Sequence, residues 1–83
     1  MTVRTIKITE DEAKRIVDNK IRFIFRGNRA CFKENDIIKF RVIKDLHDVL
    51  HAIDSRKYIV TAVMDHLDAP VLEGYQFIAF REI

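Results

Sequence analysis

The segment NKIRFIFRGNR, residues 19–29, decides between helix and strand in the middle of the chain. From Lys20 onward charged and apolar side chains alternate with a period of two, which is the period of a β-strand. The side chains on one side, which we expect to face the core, are those of Ile21, Phe23 and Phe25. The other side carries the basic residues together with Ile24. Gly27-Asn28 then predicts a turn.

The residues before this strand predict a strand and a short helix. Residues 3–8 read as the first strand, and Thr9-Glu-Asp-Glu12 has the form of a capping box, in which the Thr9 hydroxyl and the Glu12 carboxylate each accept from the other's backbone N–H. The apolar stripe of the helix is formed by Ala13, Ile16 and Val17. Asp18-Asn19 predicts its end.

Three further strands are expected downstream. Glu34-Asn35-Asp36 is a turn signal before IIKFRVI, residues 37–43. RKYIVTAVM and YQFIAF, residues 56–64 and 75–80, are apolar on both faces, as expected where a helix or a closed barrel covers the second side. Residues 45–53 fit either a second short helix or a hairpin turning at 46–48. The expected fold is α+β and mainly β, a five- to six-stranded barrel with an N-terminal helix.

Composition places the chain among ordinary globular domains, with one domain over residues 1–83. The net charge is only +2, but residues 20–44 hold eight basic and two acidic side chains, a net +6 that leaves −4 elsewhere. This asymmetry favours an anionic partner or a solvated basic face. With one cysteine, no bilayer-length apolar run and no leader pattern, we expect a cytoplasmic chain without a membrane partner.

Histidine and cysteine offer little support for metal or nucleophilic chemistry. His47 and His51 have the spacing of a helical zinc motif, but catalytic zinc needs a third protein ligand, and no spacing recommends His66. We therefore expect no metal and no cofactor. Cys31, which lies between two apolar residues, is expected to be a buried or half-buried thiol.

The order of these elements resembles a known family. A helix ending in VDNK precedes the strand IRFIFR, FKENDIIKFR follows, and VLEGYQFIAF closes the chain. In this order the chain is similar to the ASCH domain, a relative of the PUA RNA-binding fold, and in particular to its small bacterial and phage branch of unknown function. Asp36 fits the family's GD turn, and Gly74-Tyr75 fits its GY pair before the last strand. The resemblance covers most of the chain and implies a PUA-like barrel.

At the helix end this sequence departs from the family motif. It runs glycine, any residue, lysine, two residues, glutamate or threonine, any residue, arginine. Asn19 stands at the glycine, Ile21 at the lysine and Ile24 at the glutamate or threonine, so Arg26 alone matches. Members with demonstrated chemistry remove the acetyl group from N4-acetylcytidine with a lysine, a threonine and a glutamate. Because Ile21 and Ile24 cannot supply these groups, we expect no catalytic residue.

The resemblance and the basic segment together predict an RNA- or nucleotide-binding module with a basic cleft between barrel and helix. The residues expected to contact the ligand are Lys20, Arg22, Arg26, Lys39, Arg41 and Tyr75. Lys39 and Arg41 are expected on a strand beside the first three. The planar guanidinium of Arg26 suits phosphate, and its alternative is an ion pair with Asp36 or Glu73.

Two other functions are kept as alternatives. One is an amidohydrolase acting on acylated nucleosides, with Lys20 and Glu73 brought together by a local bulge. The other is a module that meets a protein partner, which a large exposed apolar patch would favour.

Overall fold

Six strands and one α-helix make up the computed structural model, which describes residues 3–27, 31–65, 67 and 73–83. In chain order the elements are β1 (Val3–Ile8), α1 (Glu10–Val17), β2 (Phe23–Gly27), β3 (Ile37–Lys44), β4 (His47–Val49), a 3-10 helix (Ala52–Ser55), β5 (Tyr58–Met64) and β6 (Tyr75–Glu82). The expected mainly β class, strand number and N-terminal helix are confirmed. Within these ranges no helix is long and apolar enough to cross a bilayer.

All six strands belong to one open sheet. Its order is β1-β3-β5-β6-β2, and β4 pairs with β3 outside that path. β1 runs parallel to β3, and the other pairs are antiparallel. The two edge strands, β1 and β2, form no ladder with each other among the described residues. The closed barrel expected from the sequence is therefore wrong, because closure would require these two edge strands to pair.

The N-terminal end of α1 is capped as the sequence predicts. The Thr9 hydroxyl accepts from the backbone N–H of Glu12 at 3.1 Å, and the Glu12 carboxylate accepts from the N–H of Thr9 at 3.2 Å. These two bonds satisfy donors that a helix end otherwise leaves free. Ala13 and Ile16 are buried, so the apolar stripe packs into the core.

The C-terminal end of α1 is closed by a Schellman motif. The N–H groups of Asn19 and Lys20 donate to the carbonyls of Ile16 and Arg15, at 3.1 and 2.8 Å. Asn19 has a φ of 60°, in the left-handed region that this motif requires and that asparagine tolerates better than most residues. The helix stop predicted at Asp18-Asn19 is thus confirmed.

The core lies between α1 and the inner face of the sheet. Its largest fully buried side chains are Ile16, Ile38, Ile53, Ile78, Val42 and Val60. Phe40, Tyr58 and Phe80 add an aromatic layer, with ring centroids 5.2 to 5.4 Å apart. Aromatic rings at such separations contribute beyond their buried area.

β2 presents the opposite face to the core from the one expected. Ile24 is 4% exposed, whereas Phe23 and Phe25 are 45% and 50% exposed. The pairing explains the inversion, because Ile24 lies opposite the fully buried Ile78 of β6. Ile21 precedes the strand and packs partly against the core. The prediction that Phe23 and Phe25 face inward is wrong, since a period of two identifies the residues that share a face but not the buried face.

Residues 45–53 form the hairpin rather than the α-helix. Lys44 pairs with His47, which leaves Asp45 and Leu46 as a two-residue loop. Both loop residues have positive φ, 51° and 67°, as in a type I′ turn. The turn therefore lies slightly before the predicted 46–48, and the 3-10 helix follows β4.

Candidate ligand-binding site

A cleft of about 280 Å³ opens between the end of α1 and the end of β6, and we call it the helix-end cleft. Its lining residues are Ile16, Asn19, Ile21, Arg22, Tyr58, Phe80, Arg81 and Glu82. The apolar members come from the helix and the core, and the charged members are exposed at the opening. An apolar wall with a few convergent polar groups is the composition typical of small-ligand sites.

The Tyr58 hydroxyl is the buried polar group of this cleft. Tyr58 is 3% exposed, and its hydroxyl proton has no acceptor among the described residues, although the Arg56 guanidinium is close enough to donate to the oxygen. Burial raises the pKa of Tyr58 above its usual 10 and the Glu82 carboxylate raises it further, while a hydrogen bond from Arg56 and its positive charge oppose both. At neutral pH the group is therefore a neutral phenol with a proton to donate.

Two arginines at the opening are available to an anion. Glu82, the acid of the cleft, is 3.2 Å from the Arg56 guanidinium and is thereby partly neutralised. Arg22 and Arg81 form no ion pair within the part of the chain that the structure describes. The opening therefore carries uncompensated positive charge, which favours an anionic group there.

Of the three basic residues expected on one strand face, Arg22 alone lines the helix-end cleft. Lys20 belongs to the cap of α1, three residues before β2 begins, and its side chain is exposed. Arg26 lies at the other end of β2, opposite Gln76. The three side chains therefore lie at separate points between the end of α1 and the far end of β2.

The Arg26 guanidinium is engaged by the protein itself. It donates to the carbonyl of Lys7 in β1 at 3.1 Å and to that of Phe25 at 2.6 Å, and it lies 3.7 Å from the Glu12 carboxylate. Its ion-pair partner is thus Glu12 rather than the turn acids Asp36 or Glu73. Because β1 and β2 are the two edges of the sheet, Arg26 joins them through a side chain.

Lys39 and Arg41 lie elsewhere on the molecule. They are on β3, opposite Thr5 and Lys7 of β1, and β5 and β6 separate them from β2. The expectation that they occupy a neighbouring strand is wrong. They line a second cavity of about 370 Å³, where Arg41 pairs with Asp48 at 3.3 Å and Asp54 at 3.7 Å. This cavity mixes both signs of charge.

Tyr75 belongs to a cluster of aromatic side chains on the outer face of β2 and β6, which we call the aromatic face. Its members are Phe23, Phe25, Tyr75 and Phe77. The rings of Phe23 and Phe77 stack at 5.2 Å, and Phe25 meets them at 6.1 and 5.5 Å with its ring turned edge-on. Tyr75 is 45% exposed. The expected covering of this side of β6 by a helix or a closed barrel is therefore wrong.

The positions linked to catalysis do not form a reactive site. Ile21 lines the helix-end cleft and Ile24 is buried. Lys20 lies before the start of β2 and Glu73 before the start of β6, which are opposite ends of this antiparallel pair. A bulge of one residue cannot bring these two side chains together.

The described histidines and Cys31 lie outside the helix-end cleft. His47 is exposed in β4, and the His51 Nδ1 atom accepts from the N–H of Ile53, capping the 3-10 helix. Across the described ranges no group of three or more potential ligands could hold a metal ion, and His66 lies outside those ranges. Cys31 is exposed, so its expected burial is wrong.

Arg81 and Tyr58 are not among the site residues predicted from the sequence. Both line the helix-end cleft because β6 ends and β5 begins where α1 ends. No local pattern carries that information, since it depends on pairing between distant strands. No protein-family model matches the chain and no curated protein matches it significantly, so the resemblance to the ASCH domain stays a prediction.

Proposed function

We propose that the chain binds RNA or a nucleotide-like ligand in the helix-end cleft. The observation that carries the proposal is the buried Tyr58 hydroxyl, which lines this cleft and whose proton has no acceptor among the described residues. A buried polar group left unsatisfied costs about 1 to 3 kcal/mol. A ligand that supplies an acceptor oxygen would offset this cost and explain why the hydroxyl is present.

The chemistry of the cleft selects for two features in the ligand. Deep in the cleft, Tyr58 donates, so the ligand needs a neutral acceptor such as a carbonyl oxygen. At the opening, Arg22 and Arg81 suit a phosphate, because a guanidinium presents a planar pair of donors. A nucleotide has both features, and an unpaired nucleotide of RNA exposes its base edges for such contacts.

The resemblance to the ASCH domain adds support at one position. Asn19 lines the cleft with a φ of 60°, a conformation that glycine adopts without cost. Glycine is the residue that the family motif has at this place. The proposal is one of binding without catalysis, because Ile21 and Ile24 offer no reactive group, and we expect no deacetylation of N4-acetylcytidine above background.

Titration calorimetry with the four nucleoside monophosphates and their nucleosides tests the proposal. We expect the monophosphates to bind more tightly than the nucleosides. Tyr58→Phe should weaken binding by about 0.5 to 1.5 kcal/mol, the net worth of one hydrogen bond, and Arg22→Gln by about 1.5 to 3 kcal/mol.

Lys14→Gln is the matched control for Arg22→Gln, because it removes one positive charge from an exposed position of α1 outside the cleft. It should leave the affinity unchanged. If no monophosphate and no short RNA binds the wild-type protein saturably, or if Lys14→Gln and Arg22→Gln weaken binding equally, the cleft is not the site.

A further inference from the structure

The aromatic face exposes a large area of phenylalanine ring to solvent. Phe23 and Phe25 each remain about half in water, at 45% and 50% exposure, although burying a phenylalanine is strongly favourable. Their rings are held by each other and by Phe77, in stacked and edge-on pairs. The face is therefore a preformed aromatic platform.

Among the described strand positions on this side of the sheet, the charged side chain is that of Arg81. The neighbouring outward positions of β5 and β6 are Ala62, Met64 and Ala79, followed by Arg81. None of the described strand positions on this side of β2, β5 and β6 carries a carboxylate. A platform of apolar rings bordered by a cation complements a chain of flat bases joined by phosphates.

Two arginines connect the aromatic face to the helix-end cleft along the backbone. Arg22 directly precedes Phe23, and Arg81 follows two residues after Ala79, the partner of Phe23. Both arginines line the opening of the cleft. A chain whose phosphate lies between these arginines can therefore place one nucleotide in the cleft and the next against Phe23.

We infer that the aromatic face stacks unpaired bases of a single-stranded nucleic acid whose neighbouring nucleotide occupies the helix-end cleft. The inference rests on the proposed function and extends the site from one nucleotide to several. A base can add to the outer side of the Phe23–Phe77 stack, and Phe25 and Tyr75 provide ring surface further along β2 and β6. Surface aromatics on a sheet bind two or three bases in this manner.

Fluorescence anisotropy with uridine monophosphate competition and labelled oligouridylates of four and eight nucleotides tests the inference on the full chain. Phe25→Leu removes the ring but keeps an apolar side chain, and Phe25→Trp keeps a ring. We expect Phe25→Leu to weaken tetranucleotide binding about 5- to 150-fold, to leave monophosphate binding unchanged and to leave the salt dependence unchanged. Phe25→Trp should retain the affinity.

Arg81→Gln should behave differently, lowering the slope of log affinity against log salt by about 0.7. Tyr75→Leu provides a second ring deletion, and circular dichroism checks that each variant folds. Leu50→Ala is the control, because Leu50 is 90% exposed and lies outside the aromatic face. Oligothymidylates run in parallel show whether the strand is RNA or DNA.

The possible results distinguish failure of this inference from failure of the proposed function. If monophosphates bind but longer oligonucleotides gain no affinity, or if Phe25→Leu and Tyr75→Leu bind tetranucleotide like the wild type, the inference fails while the proposed function stands. If the wild type binds neither ligand, both fail. If sedimentation shows self-association that Phe25→Ser abolishes, the face is a protein interface and the inference is overturned.

Discussion

Arg26 provides a direct test of how the open sheet is held together. Its guanidinium links β2 to the Lys7 carbonyl of β1 and to Glu12 of α1. A hydrogen bond from a charged donor contributes about 1.5 to 3 kcal/mol, and we take the lower half because 30% of the Arg26 side chain is exposed. The ion pair at 3.7 Å adds about 0.2 to 1 kcal/mol. Arg26→Ala should therefore lower the free energy of unfolding by about 2 kcal/mol.

Thermal and urea denaturation would measure this loss. For a chain of 83 residues the unfolding entropy is about 0.17 kcal/mol/K, so 2 kcal/mol corresponds to about 12 °C in Tm. Glu12→Gln is the matched control, because glutamine preserves the capping box with Thr9 and removes the charge pair with Arg26. It should cost about 0.5 kcal/mol.

The double variant separates the two contributions of Arg26. Arg26→Ala with Glu12→Gln should show a coupling below about 1 kcal/mol, with the remainder assigned to the Lys7 carbonyl. A loss below about 0.5 kcal/mol for Arg26→Ala would refute the reasoning, since it would mean that the two edges hold their positions without this link.

Three further outcomes are expected from stability measurements. Ile24→Ala should lower the free energy of unfolding by about 3 to 4 kcal/mol and Phe23→Ala by about 1 to 2 kcal/mol, because only Ile24 is buried; the reverse order would restore the face expected from the sequence. Leu46→Gly should raise the free energy of unfolding by about 1 kcal/mol, because Leu46 is 95% exposed and has a φ of 67°, which is unfavourable for a residue with a Cβ atom. Equal or lower stability of this variant in urea would contradict the prediction. Tyr58→Phe should raise stability by about 1 kcal/mol at pH 7 in the absence of ligand. Because folding raises the Tyr58 pKa above 10, the wild type should also lose stability above pH 10, and a pH series in which Tyr58→Phe loses as much would exclude Tyr58 as the cause.

Local patterns in the sequence were sufficient to predict several secondary-structure elements and where they end. The capping box at Thr9 and Glu12, the helix stop at Asn19 and the turn before β3 depend on side chains bonding to backbone a few residues away. Such interactions can be predicted because both partners lie within a few residues in the sequence. The Asp36 carboxylate, for example, accepts from the N–H of Lys33 at 3.0 Å, within the turn that the sequence predicts.

The orientation of β2 and the composition of the site depend on distant residues and could not be predicted. Three apolar side chains on one side of the strand outweigh Ile24 on the other, yet Ile24 is buried because Ile78 lies opposite it. The same pairing brings Arg81 beside Arg22, whereas two strands, β5 and β6, separate Lys39 from β2. Periodicity contains no information on partner strands, so the site expected from the basic segment mixed residues from three separate places.

The position of β2 at the sheet edge has a consequence for how the protein is made. Among the described strands β2 pairs with β6 alone, and Phe23 meets Ala79, 56 residues later in the chain. At a synthesis rate of about 5 to 20 residues per second, β6 follows β2 from the ribosome by about 3 to 11 s. During that interval β2, with its two phenylalanines, has no backbone partner, so the speed of translation sets how long this segment is open to aggregation or to chaperones.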